Sequence, residues 1–235
     1  MDYMTPPIGL CCNGHNTCQK CRPQMNCCPI CRQEFIETRN LAMETIAREL
    51  QYPCRNRAAG CDEKYPMDLI NAHQAVCPRR MYNCMLGGMD KCEWKGRRHE
   101  ILTHARQDHS AHVWLQDEFS LVYTEFEQSA DADLIEALGE LFVLHRRYDV
   151  EKERLYAMVQ YLGPTENATL FKYEFEFVEL GELRSVLFRN VVHQDTSDAD
   201  EVFESGNCLL VLRVLVWCGS FCVTPMGDLH MSRWG

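Results

Sequence analysis

Apolar and polar positions alternate through much of the second half of the chain. At 170–180, LFKYEFEFVEL sends successive side chains to opposite faces, the period-two pattern of a half-buried strand. LYAMVQYLG (155–163), RSVLFRNVV (184–192) and NCLLVLRVLV (207–216) are further β-rich runs, and GPTENAT and QDTSDAD supply turns between them. Within the first turn the NAT sequon at 167–169 reads as a polar turn rather than a glycan site. Strands at hairpin spacing predict an antiparallel β-sandwich over 113–235. The longest apolar run, CLLVLRVLVWCGSFCV at 208–223, carries Arg213 and falls short of the roughly 20 residues that span a bilayer. It reads as a buried strand, so no membrane partner is expected. Earlier in the chain the period lengthens. Leu41, Ile46 and Leu50 recur at helix-compatible separations and Glu44 and Arg48 form an i,i+4 pair, predicting a helix from about Thr38 to Leu50, ended by Tyr52-Pro53.

Composition adds a small zinc-bearing half to that picture. The chain has 235 residues, 46% apolar and 25% charged, enough for one sizeable core with appended modules. Twelve of its fifteen cysteines precede residue 93, while Cys208, Cys218 and Cys222 lie in the apolar C-terminal stretch. MDYMTPPIGL has neither the basic nor the apolar region of a signal peptide, so metal in a reducing compartment is expected rather than a disulfide scaffold, with a cytoplasmic location and a nuclear one also compatible. Residues 1–109 carry 15 Lys and Arg against 12 Asp and Glu; residues 110–235 carry 9 against 22. An acidic second half is the wrong charge for phosphate, and nucleic acid is not the expected partner. The densest basic groups, Arg79-Arg80 and KGRRH (95–99), read as solvated faces.

The cysteines and histidines fall at ligand spacings. Cys11, His15, Cys18, Cys21, Cys28 and Cys31 give CxxxHxxCxxCx6CxxC. Zinc takes four N and S ligands tetrahedrally, so six are two short of two sites. The order resembles the later two-thirds of a RING domain, whose cross-braced pattern assigns Cys11, His15, Cys28 and Cys31 to one complete Cys3His site. It leaves Cys18 and Cys21 as half of another, because the CxxC pair it places upstream falls before Met1; a truncated RING is therefore expected. Two further modules repeat one spacing: Cys54, Cys61, His73 and Cys77 (Cx6Cx11HxxxC), then Cys84, Cys92, His104 and His109 (Cx7Cx11Hx4H). In each, a loop brings two cysteines together and a short helix supplies the other two ligands, His73 and Cys77 sharing one helical face. His99 and His112 are spare imidazoles that read as exposed polar residues, with competition for the site of His109 the alternative for His112.

GHNTCQKCRP and CCPICR, then RNLAMETIA, the two fingers and a β-domain with AMVQYLG, GNCLLV and GDLHM together resemble the seven in absentia (SIAH) family of RING-type ubiquitin ligases. The resemblance implies small zinc modules, a partial RING plus two fingers, followed by a TRAF-like antiparallel β-sandwich. It implies a partial RING at 1–37, a linking helix at 38–52, a double finger at 53–112 and a substrate-binding sandwich at 113–235. Three zinc ions are expected, with the fourth site at Cys18 and Cys21 incomplete. The implied partners are a ubiquitin-conjugating E2, ubiquitin, the degrons of substrates marked for proteasomal degradation, and a second copy of the chain paired through the sandwich. No covalent catalytic residue is expected, and no Ser/His/Asp set, P-loop or carboxylate pair stands out. By position, Pro29 and Ile30 would form part of the E2 shelf, and Arg32 the cation bridging E2 and ubiquitin. Without the family, a turn proline, a small-core isoleucine and a solvated arginine account for the same residues. The alternative function is a zinc-dependent interaction adaptor whose incomplete RING does not activate an E2. The metal is expected to hold residues 1–109 folded, while the sandwich folds alone.

Overall fold

The computed structural model describes residues 3–86, 92–116, 118–123, 129–179, 185–212 and 217–226. It divides the chain into two compact units, Met1–Arg80 and Met81–Gly235, so the boundary falls between the two Cys/His modules.

In the first unit, strands β1 (Ile8–Cys11), β2 (Asn16–Cys18) and β3 (Phe35–Arg39) make a small antiparallel sheet in the order β2-β1-β3. Helix α1 (Leu41–Glu49) follows directly. It begins three residues later than the periodicity predicts, because Thr38 and Arg39 belong to β3 and Asn40 caps the helix by accepting from the Met43 amide. The apolar positions also face the other way from the expectation. Leu41, Ile46 and Leu50 are 65%, 48% and 52% exposed, whereas Glu44 and Ala47 are buried.

Glu44 is the post that joins helix to sheet. Its Oε1 accepts from the Ile8 amide of β1 (2.9 Å) and from Arg39 Nε of β3 (2.9 Å), and its Oε2 accepts from a terminal nitrogen of Arg39 (2.6 Å). The anticipated i,i+4 partner, Arg48, is a longer contact at 3.5 Å. The Arg39 hydrogen bonds, then the Ile8 amide, hold the Glu44 carboxyl down at about 2. A carboxyl lowered in the folded state stabilises fully above its unfolded value, near about 4.3, and that contribution is lost as pH falls towards 2. Glu44→Gln keeps the shape and removes the charge. Amide exchange at Ile8 should then accelerate at neutral pH while protection in the second unit stays unchanged; unchanged exchange at Ile8 would contradict this role. After α1 come β4 (Tyr52–Pro53), β5 (Lys64–Tyr65), which pair as a short hairpin, and α2 (Met67–Val76).

The second unit opens with β6 (Tyr82–Asn83), β7 (Lys95–Gly96) and α3 (Arg98–Asp108), then β8 (Val113–Trp114) and β9 (Glu118–Tyr123). With β8 and β9, the remaining elements fill the span of the predicted sandwich: β10 (Ser129–Ala137), β11 (Glu140–Asp149), β12 (Arg154–Tyr161), β13 (Phe171–Glu179), β14 (Ser185–Val191), β15 (His193–Gln194), helix α4 (Ala199–Ser205), β16 (Leu209–Leu212) and β17 (Trp217–Pro225). One sheet runs β15-β12-β11-β10-β8, with β16 also on β12; the other runs β14-β13-β17-β9. Pairing is antiparallel except at β8-β10 and β12-β15. Ile135, Phe142, Leu144, Val159 and Tyr161 of the first sheet meet Tyr173, Phe175, Phe221 and Val223 of the second in the main core. The alternation of β13 holds: Tyr173 and Phe175 are buried, while Glu174 pairs outside with Lys172 and Arg189. Arg213 lies outside the described residues.

The first sheet is covered on both faces. Its outer face packs Ala132, Leu134, Leu141, Val143 and Leu162 against Tyr82, Leu86, Ile101 and Ala105 of the second Cys/His module. Further along, Tyr156 and Met158 lie under Phe203 of α4 and Cys208. Two arginines of this module reach the sheet: Arg98 bonds Glu140 and the Leu162 carbonyl, and Arg106, half exposed, pairs with Glu136 at 3.2 Å. The solvated face expected for KGRRH is therefore, at Arg98, a docking contact.

Candidate metal centres

Three groups of four Cys and His side chains converge, each with all ligand atoms within 4.8 Å of one another: Cys11, His15, Cys28, Cys31; Cys54, Cys61, His73, Cys77; and Cys84, Cys92, His104, His109. A tetrahedral zinc with bonds of about 2.3 Å to sulfur and about 2.0 Å to nitrogen separates its donors by roughly 3.5–3.8 Å. The donor sets fit that spacing and that metal.

In the first group, β1 ends at Cys11 and a tight turn carries the chain back to His15. Gly14, at φ +81°, supplies the left-handed residue that closes it, and its amide donates to the Cys11 carbonyl at 2.8 Å. Cys11 Sγ stands 3.4 Å from His15 Nδ1 and 3.7 Å from Cys31 Sγ, and Cys28 Sγ stands 3.7 Å from the same imidazole nitrogen. A second knuckle runs from Cys28 to Cys31 and is closed by the Arg32 amide donating to the Cys28 carbonyl at 2.8 Å. Burial pushes the Cys28 thiol up, but the amides of Cys31 and Ile30 outweigh it and bring the thiol down to about 7, favouring the thiolate a metal needs.

The second group hangs between the β4-β5 hairpin and α2. Cys54 Sγ lies 3.7 Å from Cys77 Sγ and Cys61 Sγ 3.4 Å from His73 Nε2. Gly60, at φ +90°, turns the chain into Cys61, and the Asn56 amide donates to the Cys54 sulfur at 3.4 Å. Tyr65 stacks on His73 at 4.6 Å and fixes the ring.

In the third group, Cys92 Sγ lies 3.6 Å from His104 Nε2 and Cys84 Sγ 3.5 Å from His109 Nε2. Five residues along a continuous helix would turn His109 well away from His104. Helix α3 instead stops at Asp108, and His109, at φ −135° and ψ 38°, folds back to the site as its C-cap. His104 stacks flat on Trp94, with ring centroids 4.3 Å apart. His112 does not compete with His109: its Nδ1 is 3.0 Å from the buried carboxylate of Asp133, which Arg146 also engages.

Among the described residues, Cys18 and Cys21 join no group of three or more ligands, nor do Cys12 and Cys27. Cys18 is buried and Cys21 exposed, linked by the Cys21 amide donating to the Cys18 carbonyl at 3.1 Å. Pro29 and Ile30 crown the Cys28–Cys31 knuckle, both exposed, Ile30 at 69%. Arg32 is exposed and left-handed at φ 59°, so it projects from the end of that turn. Spacing located the ligands. It did not mark Glu44, Trp94, Asp108 or Asp133, which act through neighbours rather than in a repeat.

Three family models match the chain in order. They are the RING finger of E3 ubiquitin-protein ligase sina/sinah over 1–31, the Sina zinc finger over 45–123 and the Sina TRAF-like domain over 135–220. Among curated relatives, the chain is 32% identical over 182 residues to E3 ubiquitin-protein ligase sina of Schistosoma mansoni, covering 75% of this chain and 49% of that one. It is 31% identical over 183 residues to the protein of that name from Drosophila melanogaster, covering 74% and 58%. It is 30% identical over 186 residues to E3 ubiquitin-protein ligase siah-1 of Caenorhabditis briggsae, covering 75% and 43%. The chain spans about half the length of the curated relatives it matches.

Proposed function

Because the chain belongs to the sina family, with that family's RING, zinc-finger and TRAF-like domains in sequence, we propose that it acts as a zinc-dependent E3 ubiquitin ligase. It holds an E2–ubiquitin thioester at its RING and a substrate at its β-domain, 113–235, and promotes transfer of ubiquitin to a substrate lysine for degradation. It works as a homodimer paired through the β-domain, in the cytoplasm.

The observation that carries this reading is the exposed Ile30 beside Pro29, on a knuckle whose four-ligand cluster is complete. An apolar side chain held out in water by a metal-closed turn loses little entropy on docking. Arg32 presents a planar donor fork next to it. A group that pins the thioester-linked ubiquitin in one reactive pose lowers the entropic part of the barrier without itself forming a bond. The transfer chemistry stays with the E2 and the attacking amine. The twelve clustered residues would hold three zinc ions, which supply folding free energy rather than a reaction step.

Among the described residues Cys18 and Cys21 belong to none of the four-ligand groups, which favours a second reading, an adaptor that binds partners without activating an E2. Discharge of ubiquitin from a panel of charged E2 enzymes to free lysine separates the two. The ligase reading predicts acceleration by the zinc-loaded chain, reduced about tenfold or more by Ile30→Ala or Arg32→Ala, a barrier higher by roughly 1.4 kcal/mol or more. No acceleration with any E2, in a chain that retains its zinc, would leave the adaptor reading.

A further inference from the structure

We infer that Asp108 is a positioning residue for the third metal centre: its carboxylate holds ligand His104 in the tautomer and orientation that present Nε2 to the metal. The inference concerns zinc at this module alone and does not rest on the ligase reading.

Three observations on α3 point to it. First, the two ring nitrogens of His104 are already divided between tasks. Nε2 faces Cys92 Sγ at 3.6 Å within the four-ligand cluster, while Nδ1 lies 2.7 Å from Asp108 Oδ2. A neutral imidazole carries one proton, so a carboxylate at Nδ1 places it there and leaves the Nε2 lone pair for the metal. Metal-bound histidines with such a partner are fixed in tautomer and orientation and become stronger donors. Second, the ring cannot readily swing to another arrangement. It is buried and lies flat on Trp94, with an interplanar angle of 3°. Third, Asp108 occupies a position that helix energetics disfavour. It is the last residue of α3, where the partial negative charge of the helix end opposes a carboxylate. Its side chain is 62% exposed and reaches back one turn to His104. A residue that breaks a local rule while completing a specific contact is placed there by the contact.

Among the described residues only the second finger shows this contact, and the ligand sets of the two fingers account for the difference. In the first, the place four residues after His73 is taken by Cys77, itself a ligand, and the set is three thiolates and one imidazole. With a divalent ion that site as a whole carries one net negative charge. The second finger has two thiolates and two imidazoles, which with the same ion sum to zero. Asp108, one hydrogen bond away, returns the negative charge that the missing thiolate would have supplied.

The test uses the whole zinc-loaded chain. Zinc transfer to the chromogenic chelator 4-(2-pyridylazo)resorcinol is followed for the parent and for Asp108→Ala, Asp108→Asn and Asp108→Glu. Outer-shell partners of zinc histidines are typically worth 10- to 100-fold in metal affinity, and an exposed carboxylate belongs at the lower end. One of the three ions should therefore leave about tenfold faster in Asp108→Ala, less so in Asp108→Asn, and at nearly the parent rate in Asp108→Glu. The other two ions should be unaffected. Independently, long-range nitrogen–proton NMR of the parent should show His104 protonated at Nδ1. Parent-like release from Asp108→Ala, or His104 protonated at Nε2, would overturn the assignment. So would loss of the β-sheet circular dichroism in Asp108→Ala, since that would make the residue a general fold determinant.

Discussion

His109→Ala is expected to unfold far more than the finger it belongs to. Structural zinc contributes about 10–16 kcal/mol of apparent binding free energy in zinc-finger peptides, and losing one of four ligands removes much of it. In this chain the second finger is also a cover for the β-domain. Tyr82, Leu86, Ile101 and Ala105 pack on Ala132, Leu134, Leu141, Val143 and Leu162, and Leu134 and Ala105 are fully buried. Fully burying one large apolar side chain is worth about 1.5–3 kcal/mol. Opening the finger would wet several at once and free the Arg98–Glu140 and Arg106–Glu136 pairs. Urea unfolding followed by circular dichroism should show the β-signal of His109→Ala melting at a clearly lower midpoint than the parent. His73→Ala, in the other compact unit, should leave that midpoint in place. A β-signal that survives His109→Ala unchanged would mean the sandwich stands alone. That independence is the expectation for zinc modules too small to bury much core of their own; the packing of α3 against β10 and β11 argues against it for the second finger.

Phe142→Ala should cost the second unit about 3–5 kcal/mol, the usual cost of emptying a buried aromatic site. Phe142 is fully buried in the core, with Phe171 at 5.1 Å and Tyr161 at 5.6 Å. It faces Ile135 across one strand pair and Tyr161 across the other, so the cavity is walled by rings and strands that cannot collapse into it. Against a total stability of about 5–15 kcal/mol for a domain, that is about a fifth or more. The check is a shift in urea midpoint at constant slope. Leu187→Ala on the exposed strand β14 should move it by less than about 0.5 kcal/mol. A Phe142→Ala cost below about 1 kcal/mol would show that this part of the core is not packed as described.

What the sequence disclosed, and what it hid, follows from where the information sits. Metal ligands must be of particular types at separations a turn or a helix can close, so the eight finger residues were legible from spacing, whereas grouping Cys11, His15, Cys28 and Cys31 out of six candidates needed the resemblance to a cross-braced RING. The strand at 171–179 was legible because only one of its faces meets the core. Strands β11 and β12 have both faces covered, and their burial is nearly continuous, so alternation is a poor guide there. The hairpin from β10 to β11 was missed for two reasons. SADADLIEA looks too acidic for a buried strand until Asp133 is seen held by His112 and Arg146. The turn is Leu138-Gly139, both left-handed at φ 56° and 74°, and leucine carries none of the usual turn signal. Helix α1 shows the opposite error. Pattern reading sends leucines in and carboxylates out, whereas Glu44 is buried because three donors from β1, β3 and Arg48 meet it there. Pairwise satisfaction of one polar group is invisible to periodicity.

The three four-ligand groups, one in the RING and one in each finger, make the chain a carrier of three zinc ions. The most direct measurement is zinc per chain by native mass spectrometry of the purified protein. Three ions are predicted, from the three converged groups. Two would show that one four-ligand cluster does not hold metal, and four would show that Cys18 and Cys21 complete a site of their own; either count rules out three zinc centres.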